Sequence, residues 1–577
     1  MLATGNKANA LHADAVSVYT TLASSVDLPI HLVVPYDDVD EAVYLWLIDL
    51  PVHAIGLDFC GVPGASHGCT TAQLIHRHGF PATKRLGAGV IDGRSVWAAT
   101  DTNGLALVAA LRRALGPDQP MTVQSSVSLQ HVPMDLTLEE SNLSPALRSI
   151  LAFAVQKLDE IVRICRRLQE IESHGEYNKE GTPAPLDLST YTTIGSNDNK
   201  DKYNDYLAAK ERIGREMFER SLPYPARRPL QPSFHPFPTT TIGSFPQTPE
   251  IRRARLLFKQ GKISAEEYSE RMAAFIGHAV GVQDALGLDV LVHGEPERTD
   301  MVECFGIKLR GFEFTLHGWV QSYGSRYVRP PIITGEVTRG ADPMTVREYV
   351  IAQSVVNNKK PVKGMLTGAV TILNWSFPRK DISRSTQAFQ IALALRQEVA
   401  DLEAAGCGII QVDEPALREG LPLKERRWEE YLEWATAAFR LSTGCAAPAT
   451  QIVTHLCYSE FEDIMGAIDA LDADVLTIEN SRSGNEMIKA LAVYGYGRDI
   501  GPGCYDVHSP VTPSVEFLVD KLRSFLATGI LDGDATRIHV NPDCGLKTRR
   551  WEEVIPALRN MVEAARIVRA EVRQQEK

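Results

Sequence analysis

Gln451-Ile452-Val453-Thr454-His455-Leu456-Cys457 is the stretch from which the rest of this chain is read. Its apolar, β-branched opening marks the end of a buried strand. Alternate residues of a strand share a face, so His455 and Cys457 can reach one ion together. Imidazole and thiolate are both good Zn²⁺ ligands. One His-x-Cys is a weak signal, because a packed histidine beside a buried cysteine is the commoner arrangement. Two further apolar runs strengthen it. Asp474-Val475-Leu476-Thr477-Ile478 leads into Glu479, and Arg537-Ile538-His539-Val540 is followed by Asn541-Pro542-Asp543-Cys544-Gly545. In a parallel barrel all strand C-termini face one mouth, where residues distant in sequence converge. His455, Cys457, Glu479 and Cys544 could then fill a tetrahedral zinc site.

The 577 residues allow two or more domains, each with its own core. A formal charge of -12 argues against a nucleic-acid partner, which would favour a basic face. No apolar run approaches a membrane span, and residues 1–30 lack a charged segment followed by an apolar core. Nine cysteines scattered along the chain do not form a disulfide framework, and free thiolate ligands persist best in reducing surroundings. Cytoplasm is the expected location, with no membrane association.

Residues 1–165 alternate strands with helices. Strands are expected at Leu28 to Val34, Val52 to Leu57, Leu86 to Ile91 and Thr122 to Leu129, followed by a helix from Pro145 through Ile161. The same order recurs near the C-terminus, where Pro556-Ala557-Leu558-Arg559 echoes Pro145-Ala146-Leu147-Arg148, which suggests an internal duplication. Aligned on Tyr36 and Tyr458, the first copy carries Val33 and Pro35 in place of His455 and Cys457, Asp58 for Glu479 and Val127 for Cys544. It keeps the strands and lacks the metal set. It also reads as the back half of a barrel without its front, leaving an open edge near Leu28 to Val34. Residues 166–232 form a connecting arm with a helix expected around Tyr203 to Arg220, and Pro223 to Pro238 mark the next boundary. From residue 233 to 577 the α/β alternation predicts a (βα)₈ TIM-like barrel. Nine candidate strands are present there, and because both Ile500 to Tyr505 and Ile538 to Val540 qualify, one must be an excursion.

Carboxylates end two more strands, at Val290-Leu291-Val292-His293-Gly294-Glu295 and at Ile409-Ile410-Gln411-Val412-Asp413-Glu414-Pro415. Structural ion pairs collect acids as well. Beside a thiolate zinc site, however, acids suit a substrate bearing an ammonium group, such as an amino acid.

Several longer stretches carry a resemblance. They are Thr239-Thr240-Thr241-Ile242-Gly243-Ser244-Phe245-Pro246, His293-Gly294-Glu295, Thr371-Ile372-Leu373-Asn374-Trp375-Ser376-Phe377, Asp413-Glu414-Pro415-Ala416-Leu417-Arg418-Glu419 and Asn541-Pro542-Asp543-Cys544-Gly545-Leu546. On these, residues 233–577 resemble the catalytic domain of the cobalamin-independent methionine synthases, 5-methyltetrahydropteroyltriglutamate-homocysteine methyltransferases. Residues 1–165 resemble the later part of that family's N-terminal domain, and roughly the first 200 residues of the family pattern have no counterpart. The resemblance implies zinc on His455, Cys457, Glu479 and Cys544. It implies that Ile242, Gly243, Ser244, Glu295 and Asp413 hold homocysteine, that Arg326, Tyr327, Trp375 and Glu419 meet the folate, and that His508 is the catalytic acid. Tyr327 stands where the family pattern has a cysteine. The chemistry is coherent: zinc keeps a thiol deprotonated, and a histidine titrating near neutrality can protonate the departing tertiary amine. Competing readings are a zinc thiol alkyltransferase with another substrate, or a non-catalytic zinc-binding or inactive truncated form.

Overall fold

The computed structural model describes residues 6–60, 70–99, 101–174, 208–322, 327–457 and 462–575. The N-terminal part holds a parallel sheet of strands β1 (His31–Val34), β2 (Ala54–Asp58), β3 (Arg85–Ile91) and β4 (Met121–Ser125), in that spatial order. Helices Asn6–Ser25, Glu41–Leu47, Thr71–His78 and Asp101–Leu115 alternate with them. Among the described residues β1 pairs on one side only, with β2.

The second part carries β5 (Leu291–Val292), β6 (Leu309–Glu313), β7 (Val320–Gln321), β8 (Tyr327–Val328), β9 (Ile332–Arg339), β10 (Val362–Thr367), β11 (Ile409–Asp413), β12 (Gln451–Leu456), β13 (Val475–Ile478) and β14 (Asp499–Pro502). Six of them form a parallel sheet in the order β14-β13-β12-β11-β10-β5. Every residue of β10 to β14 is buried, as expected of parallel strands covered on both faces. Both edges of this sheet lead to further parallel segments. Ile500 of β14 bridges Ile538, Val540 bridges Thr239, and the amides of Asp289 and Val290 before β5 both donate to Thr239 O at 3.1 Å. These pairings close a ring of parallel segments whose C-terminal ends share one mouth.

The excursion falls elsewhere than the sequence suggested. Ile500 and Ile538 both belong to the ring, whereas β9, which ends beyond Glu336, pairs antiparallel with β6 outside it. Apolar β-branched residues mark a strand but not its partner. The helix expected from Pro145 to Ile161 is split into Pro145–Arg148 and Ala154–His174. Backbone bonds from Ala98 N to Ile150 O and from Ala152 N to Val96 O pull the intervening residues into an extended pairing. The strand expected to reach Leu129 stops at Ser125 and is followed by a 3₁₀ turn over Leu129–His131. Of the helix expected around Tyr203 to Arg220, residues 208–213 are helical, a 3₁₀ turn follows over Arg215–Phe218, and the earlier portion lies outside the described residues.

The two parts share an interface. Arg427 meets Asp37 at 2.9 Å, Lys380 meets Asp92 at 3.0 Å, and Trp97 Nε1 donates to Pro378 O at 2.7 Å. Glu139 accepts the amides of Leu316 and His317 at 2.6 and 2.7 Å. One apolar cluster draws on both parts, with Val96, Leu136, Leu151 and Phe153 packed with Ile332 and Phe377.

Candidate metal and amino-acid site

The imidazole of His455 and the thiols of Cys457 and Cys544 each offer a ligand atom, and the three atoms lie within 4.8 Å of one another at the mouth of the ring. β12 supplies the first two. The loop after Val540 supplies the third, and it is held by Cys504 N to Asn541 O at 2.9 Å and Leu546 N to Ser244 O at 2.8 Å. His455 Nδ1 stands 2.9 Å from Thr477 Oγ1, whose own proton goes to Thr454 O at 3.0 Å. The threonine oxygen must therefore accept, which places the imidazole proton on Nδ1. His455 Nε2 is buried with no hydrogen-bond partner of its own; burial acts to lower the imidazole's pKa, but the Cys544 thiol nearby outweighs it and raises it. A buried acceptor without a donor is costly, and a metal ion would satisfy it. The Cys544 thiol is drawn well below its ordinary pKa, chiefly by a hydrogen bond from Cys457, whose own pKa rises in return. Glu479, just past β13, stands close enough for its charge to add to the rise at Cys457 but lies outside the group of three.

Beside this cluster, Ile242, Gly243 and Ser244 end the first segment of the ring. Phe245 N donates to Gly294 O at 2.9 Å and so ties them to the turn carrying Glu295. A side chain at Gly243 would put its Cβ 2.5 Å from Glu295 Oε1 and 2.9 Å from Met365 Cε and would push both side-chain ends away from this position. Glu295 adopts φ 58°, a left-handed conformation that costs energy and re-aims its carboxylate, and Arg298 Nη1 lies 3.3 Å from it. Asp413 ends β11, and its Oδ1 accepts from Gln411 Nε2 at 2.8 Å. Burial pushes the Asp413 carboxyl up, and the Glu295 charge adds to that rise. Two acids crowded in this way favour the arrival of a cation.

Trp375 follows the helix Ala369–Asn374, and its Nε1 donates to Glu419 Oε2 at 2.9 Å. Glu414 holds the start of that helix, accepting Val370 N at 3.0 Å and both Thr371 N and Thr371 Oγ1 at 2.8 Å. Burial pushes the Glu414 carboxyl up to about 7. Glu419 also borders a cavity of about 460 Å³ between the two parts, shared with Tyr36, Arg94, Arg384 and Tyr431. Tyr327 lies in β8 and is exposed, while Arg326 lies outside the described residues. His508 is half-buried in a turn anchored by its amide to Asp506 at 2.7 Å and by Arg549 Nη1 to its carbonyl at 3.3 Å.

Sequence reasoning passed over the residues that hold these groups in place. Thr477 reads as one more strand residue, although its position in the segment before Glu479 pairs it with His455 in the β12–β13 register. Asp543 lies inside a quoted motif, yet its role is visible only in space: Oδ1 takes the amides of Asn480 and Ser481 at 2.9 and 3.0 Å and joins the Glu479 and Cys544 loops. Arg298, which supports Glu295, and Gln411, which supports Asp413, carry no sequence signal of their own.

Fold and site together define an α/β protein that gathers an imidazole, two thiols and a pair of acids at the C-terminal ends of parallel strands. Residues 237–567 match the cobalamin-independent synthase catalytic domain, and residues 1–116 match the N-terminal domain of the same synthases. The chain is 51% identical over 559 residues to a 5-methyltetrahydropteroyltriglutamate-homocysteine methyltransferase of Synechococcus, spanning 96% of this chain and 70% of that protein. It is 50% identical over 563 residues to the protein of the same name from Thermosynechococcus vestitus, spanning 97% of this chain and 71% of that one. Among solved structures, a B12-independent methionine synthase from a Shewanella species in complex with selenomethionine is similar with a TM-score of 0.49 at 22% identity, covering 58% of this chain and 99% of that one. The chain belongs to the cobalamin-independent methionine synthase family.

Proposed function

We propose that this protein is a 5-methyltetrahydropteroyltriglutamate-homocysteine methyltransferase that uses zinc to transfer a methyl group from the folate to homocysteine, giving methionine. The observation that carries this reading is the cluster of buried His455 and Cys457 with half-buried Cys544, beside the acids Glu295 and Asp413. The fold around it is read as a (βα)₈ TIM-like barrel from 233 to 577. Residues 1–165 are read as a partial, duplicated unit, and residues 166–232 as the connecting arm. Among the described residues the cysteines form no disulfide, which suits the reducing cytoplasm.

His455, Cys457 and Cys544, with Glu479 as the fourth ligand, would hold Zn²⁺. When bound, the ion supplies the acidity that keeps the homocysteine thiol deprotonated at neutral pH. Asp413 and Glu295 receive the substrate's ammonium group, and the backbone of Ile242 to Ser244 orients its carboxylate end. Trp375 offers a flat face to the pterin, with its indole fixed by Glu419, and Arg326 and Tyr327 are read as further folate contacts. His508 gives its proton to N5 of the folate, so the methyl leaves from a protonated amine rather than from a poor leaving group.

The test is formation of methionine from homocysteine and 5-methyltetrahydropteroyltriglutamate by zinc-loaded protein, with zinc content measured on the same sample. Stoichiometric zinc without methionine would favour the non-catalytic alternative. Transfer to a different thiol in preference to homocysteine would favour an alkyltransferase with another substrate.

A further inference from the structure

Inside the ring, below its mouth, lies an ammonium group that the proposed chemistry does not use. Lys363 on β10 is 2% exposed, and the nearby carboxylates Asp413 and Glu295 act on it through their charge. Its Nζ donates to Thr241 O at 2.7 Å and to Gln411 Oε1 at 2.6 Å. Gln411, fully buried on β11, passes the connection on: its Nε2 donates to Ile242 O at 2.8 Å and to Asp413 Oδ1 at 2.8 Å. One chain of hydrogen bonds therefore runs from β10 across the ring to two successive carbonyls of the 239–244 segment and ends on the Asp413 carboxylate.

Burying a lysine is costly: burial lowers its pKa, and the charges of Asp413 and Glu295 only partly offset this, whereas an apolar side chain of the same length would pack a barrel core at lower cost. What the ammonium provides is direction. Lysine is a donor only, so the amide beside it must turn its oxygen toward Nζ. The amide's other end is then necessarily its NH₂ group, and both of its hydrogens are committed, one to Asp413 and one to Ile242 O. Without Lys363 the Gln411 oxygen would be a buried acceptor with no donor, and only Asp413 and Ile242 O would hold the other end of the amide in place. We infer that Lys363 is a positioning residue for the amino-acid substrate, acting through the Gln411 amide to fix Asp413 and the Ile242 carbonyl in the geometry that receives the substrate's ammonium group. This rests on the reading of Asp413 given above.

Two variants test it in the metal-loaded full chain. Lys363→Met removes the donor and keeps the length. Gln411→Glu keeps an acceptor for Lys363 but removes the donor to Asp413 and adds a like charge. The probe is L-methionine, which presents the ammonium and carboxylate without a free thiol, with binding measured by titration calorimetry alongside steady-state kinetics. Both variants should bind L-methionine at least about ten-fold more weakly and raise KM for homocysteine, with zinc content and KM for the folate unchanged. Wild-type affinity in either folded variant overturns the inference. So does parallel loss of zinc and folate affinity in both, which would mark the lysine as a structural support only. If Lys363→Met does not fold, Gln411→Glu alone decides between these outcomes. Failure of the wild-type protein to bind L-methionine is a separate result, which overturns the assignment of Asp413 to the amino acid and this inference with it.

Discussion

His455 Nδ1 and Thr477 Oγ1 stand 2.9 Å apart on neighbouring strands, and the threonine's own proton is already committed to Thr454 O. A side chain outside the group of His455, Cys457 and Cys544 thus determines which imidazole nitrogen is free to bind a metal ion. Thr477→Val should leave the fold intact and weaken metal affinity about 10–100-fold, as loss of an outer hydrogen bond to a metal-bound histidine does. Competition with a chromophoric chelator measures this, and an unchanged affinity would assign the tautomer to some other cause.

Cys544→Ser should abolish tight metal binding, because a hydroxyl at neutral pH is a poor substitute for a thiolate. Elemental analysis of the purified variant decides. One equivalent of zinc per chain would remove Cys544 from the ligand set.

His508→Asn should retain zinc and L-methionine binding and lose roughly 10²–10⁴-fold in turnover, the usual worth of a general acid. Its turn is anchored through backbone atoms at Asp506 and Arg549, so the loss would not reflect a displaced loop. Turnover equal to that of the unaltered protein would exclude His508 from the chemistry.

Asp92 and Lys380 meet at 3.0 Å between the two parts of the chain. Burial acts to raise the Asp92 carboxyl, but Lys380 and Arg94 outweigh it and hold the group well below the usual carboxylate range. A carboxylate depressed on folding adds stability that is complete above its unfolded pKa of about 3.9 and is lost as pH falls toward the folded value. Asp92→Asn should therefore lower Tm by about 1 °C at pH 7, for a loss of about 1 kcal/mol spread over a unit of 577 residues. The gap should narrow as pH drops below about 3.9. A Tm difference that does not change with pH would show that the loss is steric and not electrostatic.

The convergence of His455, Cys457 and Cys544 was legible because strand periodicity places His455 and Cys457 on one face, and a parallel ring brings strand ends together. The groups that orient them were not, because Thr477 and Gln411 act through a neighbour's register, and register is a property of two strands at once. The same limit explains β9. Its opening Ile332-Ile333-Thr334 is as β-branched as the ring strands, and its antiparallel pairing with β6 and its half-exposed later residues set it apart. The break between Pro145 and Ile161 was hidden because helical spacing persists across it, while the extended pairing that interrupts the helix comes from Val96 to Ala98, far away in sequence.

The apolar cluster formed by Phe153, Leu151 and Val96 with Ile332 and Phe377 gives the molecule a shared seam. Burying each of these larger side chains is worth about 1.5–3 kcal/mol, and neither part can open without stripping cover from the other. The seam makes melting a concerted event: the two sequence-defined regions behave as one thermodynamic unit, and calorimetry should record one endotherm where a chain of independent domains would give two.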